Sequence, residues 1–264
     1  MSKIDQTFQR LKNKGRAALI PFIVAGDPDL ETTEAIVLKM AESGADIIEL
    51  GIPFSDPIAD GPTIQAANKR ALEKGVNLRD IFRLTERLKG TATPLVLMTY
   101  FNPVLRYGLK AFAVGCEEYG IDGVIIPDVP PEEAGPWIHE ARRMDLDTIF
   151  LITPTSPRER IKLISRLSHG FIYYVSVTGV TGARDKLPEQ IESAVRRVKE
   201  QSKKRVVVGF GISTPEQARE VGLFADGIIV GSAIVKIIEE NLAKPNLISK
   251  VGDFISSLAK ALKS

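Results

Sequence analysis

Eight short apolar runs rich in β-branched residues alternate with segments of helical spacing along 264 residues that show no break in composition. This pattern predicts an α/β fold, a single (β/α)8 TIM barrel with an extra N-terminal helix, occupying residues 1–264 as one domain. Nearly continuous apolar strands suit a parallel sheet covered by helices. Alternation alone also admits a doubly wound open sheet, and length alone admits two small domains.

From the N-terminus, Ile4, Phe8 and Leu11 form one apolar stripe at helical spacing, which defines the extra helix. The first strand is Ala18–Val24, followed by a helix over Thr32–Glu42 and a second strand over Ile47–Gly51. A proline-rich loop, Pro53 to Pro62, leads into a helix carrying Ile64, and a further helical segment covers Leu78–Leu88. Strand three is Leu95–Thr99, with helix Leu109–Glu118 before strand four, Gly123–Pro127. Strand five, Thr148–Ile152, precedes helix Arg158–Leu167, and strand six, Phe171–Val175, precedes helix Ile191–Lys199. Strand seven is Val206–Gly209, then helix Pro215–Val221, then strand eight, Ile228–Val230, with a helix starting near Ser232. Leu247–Leu262 is the closing helix, and no low-complexity tract or direct repeat interrupts the alternation.

Charge and composition narrow the function classes. With 35 Lys+Arg against 33 Asp+Glu, a net charge of +2 supplies no long-range field for nucleic acid. The dense basic run Lys203-Lys204-Arg205 precedes a strand and reads as solvated surface. The single cysteine, Cys116, permits neither an intrachain disulfide nor a thiolate metal cage, which fits a reducing compartment. The N-terminus lacks the apolar core of a signal peptide, and no run reaches the roughly eighteen apolar residues of a membrane span. A soluble, cytoplasmic protein is expected.

In such barrels the chemistry sits at the C-terminal ends of the strands. Glu49 interrupts the second strand, and alternation places it opposite Ile48 and Leu50, pointing into the barrel mouth. Burying an unpaired carboxylate costs several kcal/mol or forces it to take up a proton, so Glu49 has either an ion-pair partner or a chemical task. Asp60 stands just before Gly61-Pro62, where it either caps the following helix or faces a ligand, and Asp56 has the same ambiguity.

Three glycine-bearing segments follow strands six, seven and eight: Thr178-Gly179-Val180-Thr181-Gly182, Gly209-Phe210-Gly211-Ile212-Ser213 and Gly227 to Ala233. Glycines let backbone N–H groups approach an anion, and a helix starting near Ser232 adds its positive dipole end. This is where barrels commonly hold phosphate, although each glycine alone could be an ordinary turn residue. No lysine falls within strands two to eight, which removes the nucleophile of a Schiff-base aldolase. His139 and His169 lack metal-ligand spacing, and no Walker or GxGxxG motif is present. What remains is acid-base chemistry by carboxylates on a phosphorylated small molecule, without metal or cofactor in this chain, with Glu49 the first candidate and Asp60 the second if it does not cap the helix.

The segments Pro21-Phe22, Glu49 to Pro57, Ala59-Asp60-Gly61-Pro62, Asp128-Val129-Pro130, Gly179-Val180-Thr181-Gly182 and Gly209-Phe210-Gly211-Ile212 resemble, in order and over essentially the whole length, the tryptophan synthase α-subunit family. The resemblance implies a lyase of tryptophan biosynthesis that cleaves indole-3-glycerol phosphate to indole and glyceraldehyde 3-phosphate by a cofactor-free retro-aldol reaction. It implies that Glu49 is the mobile acid-base group and that Asp60 accepts the indole N–H. Tyr173, which could otherwise be core, would help position the base. Gly182, Gly209, Phe210, Gly211, Gly231 and Ser232 fall on the family's phosphate-binding segments. Phe22, Ile64, Ile125, Thr181 and Ile229 fall around the substrate, positions that plain barrel core would also fill.

The family works as an α2β2 complex whose β subunit holds pyridoxal phosphate, and Asp56, Pro57, Asn102 and Pro103 correspond to the partner face or simply brace the loops. The segment from Val177 to Pro188 reads either as a lid or as an exposed loop. Pro127 and Val177-Thr178 depart from the family pattern, which bears on the indole pocket and the lid. Two rivals stand beside this reading: a stand-alone lyase releasing free indole, and a non-catalytic allosteric barrel, which retention of Glu49 and Asp60 argues against.

Overall fold

The structure is a computed structural model that describes residues 1–175, 187–209 and 211–263. In order it contains α1 (Lys3–Asn13), β1 (Ala18–Val24), α2 (Leu30–Glu42), β2 (Ile48–Gly51), α3 (Pro62–Glu73), α4 (Leu78–Leu88) and β3 (Leu95–Met98). There follow α5 (Phe101–Tyr107), α6 (Leu109–Glu118), β4 (Gly123–Ile125), α7 (Gly135–Arg143), β5 (Asp147–Ile152), α8 (Arg158–Leu167) and β6 (Ile172–Val175). The last elements are α9 (Leu187–Ser202), β7 (Val206–Gly209), α10 (Pro215–Gly222), β8 (Gly227–Val230), α11 (Ser232–Glu240) and α12 (Leu247–Ala261). All neighbouring strands are parallel, and β8 pairs back onto β1, so the sheet closes into an eight-stranded barrel and the open-sheet alternative falls.

Several boundaries differ from the sequence reading for local reasons. Strand β4 stops at Ile125 rather than Pro127, because Pro127 has no N–H to give a parallel ladder. Helix α7, absent from the sequence reading, buries Trp137, Ile138 and Ala141, but its first residues are Gly135-Pro136, which read as a turn. Helix α5 is too short to display a period and buries only Val104.

Alternation along the strands separates two apolar cores. Ile48 and Leu50 pack outward with the helices, whereas Phe22, Ile47, Val96, Ile125, Tyr173, Val207 and Ile229 fill the barrel interior. Ile4, Phe8 and Leu11 of α1 belong to that interior core, so the extra helix plugs the N-terminal end of the barrel. Ser2 caps α1 by accepting the Asp5 N–H at 3.1 Å and donates its hydroxyl to Asp147 Oδ2 at 2.6 Å. Asp5 in turn pairs with Arg205, whose guanidinium lies 5.2 Å from the centre of the Phe8 ring. Among the described residues, no helix is long and apolar enough to cross a membrane.

Candidate active site

Glu49 lies on β2 between Phe22 of β1 and Val96 of β3 in register, and it is 1% exposed. Neither carboxylate oxygen has a hydrogen-bond partner among the described residues, so the structural ion pair is not formed. Burial is the main reason its pKa is pushed up to about 8, with the nearby Asp60 charge adding to the effect.

Asp60 does not cap the helix that follows. The N-cap of α3 is Gly61, without a side-chain capping bond, and the Asp60 carboxylate turns instead toward Asn68 and Tyr100. Asn68 Nδ2 donates to Asp60 Oδ2 at 3.2 Å. The Tyr100 hydroxyl accepts the Ala59 N–H at 3.0 Å and keeps its own proton for Asp60. Burial raises the Asp60 pKa to about 6, while these two hydrogen bonds hold it down.

Both partners are themselves braced. Asn68 Nδ2 also donates to the Ile64 carbonyl at 3.1 Å, and its Oδ1 accepts the Phe54 N–H at 3.2 Å, so one side chain ties the loop from Phe54 to Ile64 together. Tyr100 stacks on Phe54 with ring centres 5.2 Å apart. Asp128 accepts the N–H of Phe101 at 2.9 Å, anchoring the first residue of α5 immediately after Tyr100. Neither Asn68 nor Tyr100 was singled out in the sequence. Asn68 left a signal there, being the one polar member of the buried stripe Ile64, Ala67, Asn68 and Ala71.

Tyr173 lies on β6, buried between Leu151 and Val207 in register, and desolvation keeps its phenol protonated far above neutrality. A Cβ at position 209 would collide with its ring, so Gly209 serves to admit Tyr173. Glu49, Asp60 and Tyr173 share one cavity of about 260 Å3, whose apolar lining includes Phe22, Ile64, Ile125 and Ile229 together with Met98 and Leu151, which sequence reasoning missed. A volume on this scale suits a small ligand with a flat apolar part.

The same cavity is bordered by Gly211, Ile212 and Ser213 after β7 and by Gly231, Ser232 and Ala233 after β8. Gly211 has φ +82°, a left-handed conformation that glycine adopts without strain. Gly231 is the N-cap of α11 without a side-chain cap; its carbonyl accepts the Ile234 N–H, which leaves the amides of Ser232 and Ala233 to an outside acceptor. Gly209 does not line the cavity. Thr181, Gly182 and Phe210 lie outside the described residues, as does most of the Val177 to Pro188 segment; Leu187 and Pro188 instead open α9.

Asp56 and Asn102 are exposed, Pro57 and Pro103 partly so, and Ser55 Oγ donates to Asp56 Oδ2 at 2.6 Å. Ile58 between them is 81% exposed. The Ala59 to Tyr100 hydrogen bond joins the two segments carrying these residues, none of which lines the cavity. Among the described residues, no group of three or more His, Cys, Asp or Glu side chains could hold a metal ion.

The profile of the family described as tryptophan synthase alpha chain matches residues 8–262. The chain is 51% identical to the tryptophan synthase alpha chain of Geobacter sulfurreducens over 263 residues, covering 99% of each protein. It is 49% identical to that of a Thermoanaerobacter species, covering 99% of this chain and 100% of the relative. Among solved structures, tryptophan synthase subunit alpha from Legionella pneumophila superposes with a TM-score of 0.93 at 40% identity, over 99% of this chain and 98% of that one. A chain of tryptophan synthase from M. tuberculosis superposes with a TM-score of 0.90 at 37% identity, over 100% and 99%.

Proposed function

The chain belongs to the tryptophan synthase alpha chain family, lyases that split indole-3-glycerol phosphate into indole and glyceraldehyde 3-phosphate in tryptophan biosynthesis, and on that premise we propose that Glu49 and Asp60 divide the chemistry between them. The observation that carries this is that the two carboxylates share one cavity in different settings, Glu49 buried without a hydrogen-bond partner among the described residues and Asp60 held by Asn68 and Tyr100. With a pKa near 8, Glu49 is mostly a neutral acid at pH 7, and with a pKa near 6, Asp60 is mostly an anion.

The reaction needs an electron sink, and the indole ring can become one. Glu49 gives its proton to indole C3, forming a C–H bond and leaving positive charge on the ring nitrogen. Asp60, held in place by Asn68 and Tyr100, accepts the indole N–H and stabilises that charge. The Glu49 carboxylate then removes the proton of the glycerol hydroxyl next to C3. The carbon–carbon bond breaks, its electron pair restores the aromatic ring, and an aldehyde forms. Glu49 finishes protonated, as it began, which matches a resting state that favours the acid.

Gly211, Gly231 and Ser232, with Gly182 and Phe210, are assigned to the substrate phosphate, and Gly209 to making room for Tyr173. Phe22, Ile64, Ile125, Ile229 and Thr181 are assigned to the substrate's apolar part. The chemistry so drawn needs no cofactor in this chain. Family members pair with a β subunit, and we assign Asp56, Pro57, Asn102 and Pro103, together with exposed Ile58, to that contact in an α2β2 assembly whose pyridoxal phosphate resides in the partner. A cytoplasmic location fits the single, buried Cys116. Two carboxylates tuned apart in one cavity argue against a non-catalytic barrel.

Replacing Glu49 by Gln tests the assignment. Indole release should fall by about three orders of magnitude or more, since one group supplies both proton transfers. Substrate affinity should stay within about tenfold, roughly 1.4 kcal/mol. Undiminished cleavage by the Gln variant would refute the role of Glu49.

A further inference from the structure

A second cavity, of about 720 Å3, opens at the other end of the barrel and plays no part in the reaction above. Its walls include Ala17, Arg205 and Asp226, each directly before a strand, and Gly170, two residues before β6, so it lies on the N-terminal face. It is bounded by α1, from Asp5 to Lys12, on one side and by the end of α9 and its connection to β7 on the other. Six lysine and arginine side chains line it against two carboxylates, a larger local excess of positive charge than the net +2 of the whole chain.

Three of those cations are already engaged. Arg16 holds the buried Asp46 through two bonds of 2.8 and 2.7 Å, Arg205 pairs with Asp5, and Lys199 Nζ is 2.9 Å from Asp226. The other three have no carboxylate partner among the described residues. Lys204 Nζ reaches only the Ser168 carbonyl, at 3.1 Å, while Lys12 and Lys203 make no ion pair. Lys203 also sits at φ 54°, a left-handed conformation that glycine or asparagine would adopt at less cost, yet the position carries a cation.

We propose that this groove is a binding site for a small molecule carrying two or more linked phosphate groups, held by Lys12, Lys203 and Lys204. Its volume is that of a small-molecule pocket, and lysines from separate elements, Lys12 of α1 and Lys203 and Lys204 after α9, line it together. A weak overall charge argues for a compact ligand rather than an extended nucleic acid. His169 at the rim supplies a reporter: burial and the charges of Lys204 and Arg142 hold its pKa below the usual value, and a bound anion would raise it.

The test follows the ring-proton NMR signals of the two histidines during titration with tripolyphosphate at about 150 mM salt, where loose ion-atmosphere effects are screened. We expect a saturable shift and an upward pKa change at His169, with His139, which does not line the groove, unmoved. The double variant Lys12→Ala, Lys203→Ala removes two exposed side chains. It should bind tripolyphosphate at least tenfold more weakly while cleaving indole-3-glycerol phosphate within twofold of wild type. No movement of His169 up to about 10 mM, equal affinity in the double variant, or equally tight binding of orthophosphate would each overturn the site. None of these results touches the Glu49 assignment, which the cleavage assay reads separately.

Discussion

Glu49, in the role proposed for it, serves the reaction at a cost to the fold. Its folded-state pKa of about 8 lies above the ordinary 4.5, so between those values the folded chain holds a proton that the unfolded chain has lost. Stability attributable to this group is therefore fully present below about pH 4.5 and declines as pH rises toward 8. Glu49→Gln has no proton to lose. Thermal unfolding followed by circular dichroism should show the variant's advantage over wild type widening from about pH 5 to about pH 8 and then levelling; parallel curves would mean that the carboxylate is not desolvated. Glu49 was legible in the sequence because a charged residue at an inward strand position conflicts with its neighbours. Asp60 was ambiguous because Gly61-Pro62 imitates a capped helix start, and only the fold reveals that its carboxylate turns away. Tyr100 left no local signal, since the backbone amide it accepts lies 41 residues away.

Helix α3 joins the loop that carries Asp60 to the rest of the barrel. One face carries Ile64 into the cavity and Asn68 onto Asp60, and half a turn later Arg70 reaches Asp27 and Glu239 instead. Arg70 makes bonds of 2.8 and 2.9 Å to Asp27, which is 1% exposed, and one of 3.0 Å to Glu239 of α11. The loop after β1, α3 and α11 are thus held by one guanidinium. Arg70→Ala would leave the Asp27 carboxylate buried without its partner, a change that typically costs about 3–5 kcal/mol. Urea unfolding of the variant should register a loss of that order, and a loss under about 1 kcal/mol would mean that Asp27 finds water or another donor. The long elements were legible because their apolar periods run for several turns. The helices α5 and α7 were not, the first being too short to show a period and the second opening on Gly135-Pro136.

The closed barrel separates its two ends. Glu49, Asp60 and Tyr173 gather where the strands finish, whereas α1 seals the end where they begin, with Ile4, Phe8 and Leu11 inserted into the interior core. The stripe of α1 was legible as a helix, but its insertion into the barrel was not, because nothing local distinguishes a helix that plugs a barrel from one that packs on its outside. Phe8 packs 5.9 Å from Phe171, ring centre to ring centre, and lies beneath Arg205. Truncating it should open a void at the bottom of the barrel and cost about 3–5 kcal/mol. The interior layers between Phe8 and Glu49 are close-packed apolar side chains, which resist deformation, and in such barrels the bottom face serves stability while the top face serves catalysis. Phe8→Ala should therefore unfold at distinctly lower urea, yet at about 25 °C and without denaturant the folded variant should retain kcat/KM for indole release within about twofold. A tenfold or larger loss of kcat/KM in protein shown to be folded by near-ultraviolet circular dichroism would mean that the plug is coupled through the core to the position of Glu49.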